Sequence, residues 1–253
     1  MGLLRELKGL ATHIALYPLG FLPGSMAPIV PPASASDAMQ TPVVLVHGYF
    51  HNRSGFFFLA RALRKRGFRW VYAMNYNPLG ASVPALARRL ARHVDDVRAM
   101  SGASKVHVVG HSLGGVIARW YVDQLDGAQA VDTCVTIGTP HRGTMLAYLG
   151  PGQTAREMRP SSDVVGTLQA SVSPDVHYLN LYSDLDVLVV PASSAIMPEA
   201  PNVENRLVSD LGHTSLLISP ELIAVVADQL EEAEAAGLAE ITQLSERRQA
   251  SGS

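Results

Sequence analysis

The chain reads as an α/β protein built on a mostly parallel, doubly wound sheet of about six strands flanked by helices. Three observations predict this. Short runs of almost wholly apolar, β-branched residues recur along the chain, as strands covered on both faces require. Between them lie stretches of helical period with capping residues at their ends. Strand and helix alternate, the order of βαβ units rather than of hairpins.

Composition sets the outer limits. With 253 residues, 47% hydrophobic and 17% charged, there is material for one domain with a large core and too little polarity for extended disorder. A net charge of −2 gives no basic surface, so nucleic acid is not an expected partner. The single cysteine, Cys134, excludes an intramolecular disulfide and a cysteine-based zinc site. Its strand-like surroundings make it a buried, reduced thiol.

The elements follow in order. Arg5 and Lys8 precede an apolar run at 9–23 that resembles a poor signal sequence. His13, Pro18 and Gly20 interrupt the run, and it is too short to span a bilayer. Ala33-Ser34-Ala35 has the residues of a cleavage site but lies distant from it. The expectation is a surface helix that packs on the domain or dips into a membrane interface, which allows membrane-surface contact through residues 1–30. A cytoplasmic or membrane-associated location is preferred over secretion. Residues 31–40, rich in Pro, Ala and Ser, read as a linker, so 1–40 stands before a globular domain at 41–236.

Residues 42–46 form the first expected strand. A helix over 56–66 turns Leu59, Ala60 and Leu63 inward and stops at Gly67. A strand follows at 68–74. Ser82 then caps a long helix whose apolar stripe is Val83, Leu86, Leu90, Val94 and Val97, ending near Gly102. Strands are expected at 105–109, 131–137, 176–182 and 203–208. Residues 143–174, broken by Gly150, Pro151, Gly152, Pro160 and Gly166, read as irregular and could supply at most a short lid. Ser219-Pro220 starts a helix running through Leu230, and the polar tail at 237–253 is expected to fray.

The chemistry concentrates at Gly110-His111-Ser112-Leu113-Gly114-Gly115, between the strand at 105–109 and a helix. A serine with glycines two residues before and after can occupy a tight strand-to-helix turn that presents its hydroxyl at the sheet edge. Such a hydroxyl needs a base, and the base needs an acid to fix its tautomer. Asp186 follows the strand ending at 182 and His213 follows the strand ending at 208, which gives the order Ser112, Asp186, His213. Asp184 is the competing acid and His141 the competing base, while His47 more plainly shapes its own loop. Backbone N–H groups of Tyr49 and Leu113 are placed to hold an oxyanion. Phe50, Phe56 and His111 are candidates for lining a substrate pocket.

Together, the strand and His47-Gly48, the Gly-His-Ser-Leu-Gly-Gly turn, Gly138-Thr139-Pro140-His141-Arg142-Gly143-Thr144 and the late Gly212-His213 resemble the bacterial lipase/esterase branch of the α/β-hydrolase superfamily. The resemblance covers roughly residues 41–230. It implies an α/β-hydrolase fold and a serine esterase or lipase that cleaves apolar acyl esters. Ser112 would be nucleophile, His213 base, Asp186 acid, and Tyr49 with Leu113 the oxyanion donors. Larger relatives carry an extended lid and often a metal. Here only residues 143–174 are available as a cover, and no dense carboxylate or histidine cluster calls for a metal, so no cofactor is expected. An acyltransferase, a thioesterase or an amidase would use the same triad. A hydrolase fold kept only for ligand binding would usually have lost one of its members.

Overall fold

The computed structural model describes residues 2–22 and 41–251, so the expected linker at 31–40 lies outside the described residues. Six strands make one sheet in the order β2-β1-β3-β4-β5-β6, and every pairing is parallel. They are β1 (Val43–Val46), β2 (Val71–Met74), β3 (Val106–His111), β4 (Val131–Ile137), β5 (His177–Tyr182) and β6 (Val203–Leu207). All four residues of β1 and all six of β3 are buried, as expected of central strands with both faces covered.

Helices close each face. Helix α1 (Gly2–Leu16) precedes the sheet, and α2 (Phe57–Lys65), α3 (Val83–Ser101) and α4 (Leu113–Gln124) follow β1, β2 and β3. Two short helices, α5 (Gly152–Glu157) and α6 (Asp163–Ala170), come after β4, and α7 (Pro220–Ser251) ends the described chain. One apolar layer joins α3 and α4 to the sheet through Leu86, Leu90, Val94 and Ile117. The other joins α2 and α7 to the opposite face through Leu59, Leu63, Leu222 and Val226.

The helix boundaries have local causes. The Ser82 hydroxyl accepts the Ala85 N–H, and Gly102 ends α3 in the left-handed region at φ 75°. Ser219 caps α7 through the Leu222 N–H.

Three expectations differ from the structure. Residues 143–174 are not irregular: they hold α5, α6 and a 3₁₀ turn at Met145–Tyr148. Side-chain caps replace the helix signals that the glycines and prolines obscured, with Ser162 starting α6 and Thr144 starting the 3₁₀ turn. The tail after Gly237 continues α7 to Ser251 instead of ending there. Its run of Ala, Glu, Leu and Gln has high helical propensity, which outweighs one glycine. Strand β2 is confined to Val71–Met74.

Candidate active site

The sheet order reverses direction between β1 and β3: β2 lies on one side of β1 and all later strands on the other. In open parallel sheets the crevice at such a reversal, beyond the carboxyl ends of the strands, is where ligands bind. His47-Gly48-Tyr49 leaves β1 there, and Ser112 leaves β3.

Ser112 sits between β3 and α4 with φ 54° and ψ −122°, a backbone conformation that L-residues rarely adopt. Its N–H donates to Ile137 O at 2.9 Å and its own carbonyl accepts the Gly115 N–H at 3.0 Å. Gly114 allows this turn, because a Cβ there would collide with the Val46 carbonyl oxygen. Leu113 begins α4, so its N–H has no carbonyl partner within the helix.

Asp186 and His213 are joined. The Asp186 Oδ2 lies 2.7 Å from His213 Nδ1, and both residues are buried. The second oxygen, Oδ1, accepts the N–H groups of Leu188 at 2.8 Å and Val189 at 3.1 Å. The carboxylate is thus held on both oxygens. With Nδ1–H given to the carboxylate, Nε2 of His213 carries the free lone pair. His111 Nε2 donates to the His213 carbonyl at 3.2 Å, which fixes His213 from its backbone side. Ser112 and His213 open on the same cavity, and among the described residues no hydrogen bond joins the Ser112 hydroxyl to the imidazole. Asp184 is exposed, which leaves Asp186 as the acid that meets a histidine.

The loop after β1 is pinned by its own histidine. The Tyr76 N–H donates to His47 Nε2 at 3.3 Å, so the ring proton sits on Nδ1 and donates to Gly48 O at 2.8 Å. The two rings stack with centroids 4.1 Å apart, and the Tyr76 hydroxyl donates to His47 O. Gly48 O also accepts the His51 N–H at 3.3 Å. In a trans peptide the N–H points opposite to the C=O. Fixing Gly48 O on one side therefore fixes the Tyr49 N–H on the other. Burial lowers His47 to about 4, which keeps the ring neutral in this arrangement.

The cavity holds about 600 Å³, and most of its lining is apolar. Tyr49, Leu146, Ala147, Ala155, Met158, Leu188 and Val189 contribute from one group of elements, and Leu10, Ile14, Tyr17 and Pro18 from the N-terminal segment. Phe50 and His111 border it. Phe56 does not. It is fully buried in the layer beneath the sheet with Leu45, Leu59 and Val71, because the 3₁₀ turn at Arg53–Phe56 rotates its ring inward. His141 is also removed from contention as a base: its Nε2 is 3.0 Å from Thr136 Oγ1 and 3.2 Å from Asn180 Oδ1, buried between β4 and β5.

Sequence reasoning missed two residues that stand at the site. Glu6 of α1 accepts the N–H groups of Thr214 and Ser215, each at 2.9 Å, directly after His213. His13, one face of the same helix, is buried against the cavity. The available signal was Gly9, where a Cβ would stand 2.8 Å from the Ser215 N and hold α1 off. A glycine in a helix interior costs stability unless a close approach needs it. Among the described residues no helix is long and apolar enough to cross a membrane.

With this geometry the known proteins can be compared. Residues 41–159 match the family described as the alpha/beta hydrolase fold. A triacylglycerol lipase of Burkholderia plantarii is 34% identical over 151 residues, covering 55% of this chain and 41% of the relative. A triacylglycerol lipase of Pseudarthrobacter phenanthrenivorans is 36% identical over 123 residues, covering 46% and 38%. The chain therefore spans about four tenths of the length of these curated relatives. Among solved structures, the mature lipase BlEst2 of Bacillus licheniformis superposes with a TM-score of 0.65 at 18% identity, over 79% of this chain and 96% of that one. Sheet, crevice, family match and relatives agree on an α/β-hydrolase fold, and the chain's similarities lie among bacterial lipases.

Proposed function

We propose that the protein is a serine carboxylic-ester hydrolase acting on apolar acyl esters. The Asp186–His213 pair at 2.7 Å, beside a serine on a strained turn that opens into the same apolar cavity, is the observation that carries this reading. In it, His213 Nε2 takes the Ser112 proton as Oγ attacks the ester carbonyl, and the imidazolium is steadied by Asp186. A rotation of the serine side chain brings the hydroxyl to the base when substrate fills the cavity, since such contacts commonly tighten only in the complex. The Tyr49 and Leu113 N–H groups receive the oxyanion. His213 then returns the proton to the leaving alcohol, and water repeats the cycle on the acyl-enzyme.

The cavity volume falls within the range of sites that enclose medium-sized organic ligands. Hydrolysis of p-nitrophenyl acetate, octanoate and palmitate tests the reading. A kcat/KM highest for octanoate or palmitate supports an apolar acyl site, and inactivity on all three rejects it.

Contact with a lipid surface is part of the same reading. Leu3, Leu4, Leu7 and Ile14 on α1 are exposed, beside Arg5 and Lys8, and Leu10 and Ile14 continue into the cavity wall. An amphipathic helix of this kind lies in an interface rather than across it. Sedimentation with anionic vesicles, lost on changing Leu3, Leu4 and Leu7 to serine, supports it; equal sedimentation of that variant contradicts it.

A further inference from the structure

One wall of the largely apolar cavity is polar. The rings of His213 and His111 lie with centroids 4.7 Å apart, His111 and His51 5.6 Å, and His51 and His13 4.6 Å. The row leads from the candidate base to helix α1. His13, at its far end, is 6% exposed and borders the cavity, and among the described residues neither of its ring nitrogens has a hydrogen-bond partner. Leaving buried polar atoms unpaired costs stability. The ring is held there by design of the helix, because Glu6 is bonded to the backbone at Thr214 and Ser215 and the helix packs closely at Gly9.

On the reading of Ser112 as an ester nucleophile, we propose that this row is the subsite for the alcohol half of the substrate, and that the alcohol carries a free hydroxyl held by His13. The leaving oxygen has to reach His213 to be protonated, so the alcohol half begins where the row begins. The acyl half is then left with Leu146, Ala155, Met158 and Val189. A neutral imidazole offers one donor and one acceptor, the same pair a hydroxyl offers. Burial lowers His13 to about 4 and His51 to about 3, with the neighbouring imidazoles adding to the effect at both and Glu6 opposing it at His13. The neutral rings of His13, His51 and His111 bring no charge to meet a phosphate or carboxylate. It favours a partly acylated polyol, such as a monoacylglycerol, over a simple alkyl ester and over an anionic lipid.

Glycerol monodecanoate and methyl decanoate share an acyl chain and differ only in the alcohol, so their kcat/KM ratio reads the subsite. The wild-type ratio is expected to favour the glycerol ester. His13→Leu is expected to lower that ratio about five- to ten-fold through KM, the effect of one hydrogen bond. His13→Asn, which keeps a donor and an acceptor, should recover part of it. A measurement on the wild type alone stands beside the variants: glycerol monodecyl ether should inhibit more strongly than methyl decyl ether. Equal inhibition by the two ethers, or a His13→Leu variant in which both esters fall by one factor, would overturn the subsite while leaving the hydrolase reading intact. Wild-type protein that turns over neither ester would overturn the hydrolase reading and the subsite together.

Discussion

Glu6 accepts the backbone N–H of Thr214 at 2.9 Å, one residue beyond His213. A helix at the start of the chain thus holds the loop that presents the candidate base near its end. The same carboxylate accepts the Ser215 N–H, so the contact is a two-point clasp. Hydrogen bonds to a charged group contribute about 1.5–3 kcal/mol. Glu6→Ala is expected to lower kcat on p-nitrophenyl butyrate about ten-fold, with Glu6→Gln in between. A variant that melts earlier but keeps its kcat would mean that the clasp only stabilises α1.

In the proposed mechanism Asp186 acts through His213, which it meets at 2.7 Å. Replacing it by Asn keeps the volume but lets the amide donate to Nδ1, which selects the wrong tautomer. Asp186→Asn should reduce kcat by about a thousand-fold or more, with far less change in KM. Steady-state kinetics of the variant decide this, and a loss below ten-fold would place the acid elsewhere.

The turn that presents Ser112 depends on Gly114. A methyl group there meets the Val46 carbonyl, which belongs to the central strand and cannot move aside. Gly114→Ala should cost about 3 kcal/mol or more in urea unfolding. A change under 1 kcal/mol would show that the turn has slack.

Most of the sheet and the pairing at its rim were legible in the sequence. Central strands such as β1 and β3 are apolar throughout, and the helix of stripe Val83 to Val97 carries both its cap and its stop, so local pattern and global fold agree there. Asp186 and His213 were legible because each follows a strand end directly, and topology alone brings such loops to one edge. Phe56 was misplaced because a 3₁₀ turn shifts the side-chain phase by a fraction of a turn, which periodicity does not resolve. Glu6 and His13 were hidden for a different reason. Glu6 meets a residue 208 positions away and His13 meets His51 across the first strand, and nothing in a short amphipathic helix says which part of the fold it covers. The short helices α5 and α6 depend on polar anchors to the body, including the Arg119 guanidinium on Leu168 O at 2.8 Å and the Thr154 hydroxyl on Pro78 O at 2.7 Å.

The buried histidines make the fold sensitive to acid. An unfolded histidine titrates near 6.5, while burial holds His13 and His47 at about 4 and His51 at about 3. Below pH 6.5 the unfolded chain binds protons that the folded chain refuses. Stability from these groups is therefore complete above about pH 6.5 and falls as the pH drops toward 4, by roughly 3 kcal/mol for His47 alone. The melting temperature should decline steadily between about pH 7 and pH 4.5. A melting temperature constant over that interval would contradict the neutral burial of these rings.

The central claim is that Ser112 is a nucleophile made reactive by His213. Its most direct test is mass spectrometry after treatment with an alkyl fluorophosphonate, in which the serine oxygen bonds to phosphorus and fluoride leaves. One adduct is expected, on the peptide that contains Ser112, absent in Ser112→Ala and formed about a hundred-fold more slowly or worse in His213→Ala. Labelling that occurs on another residue, or that proceeds at the wild-type rate without His213, would contradict the account.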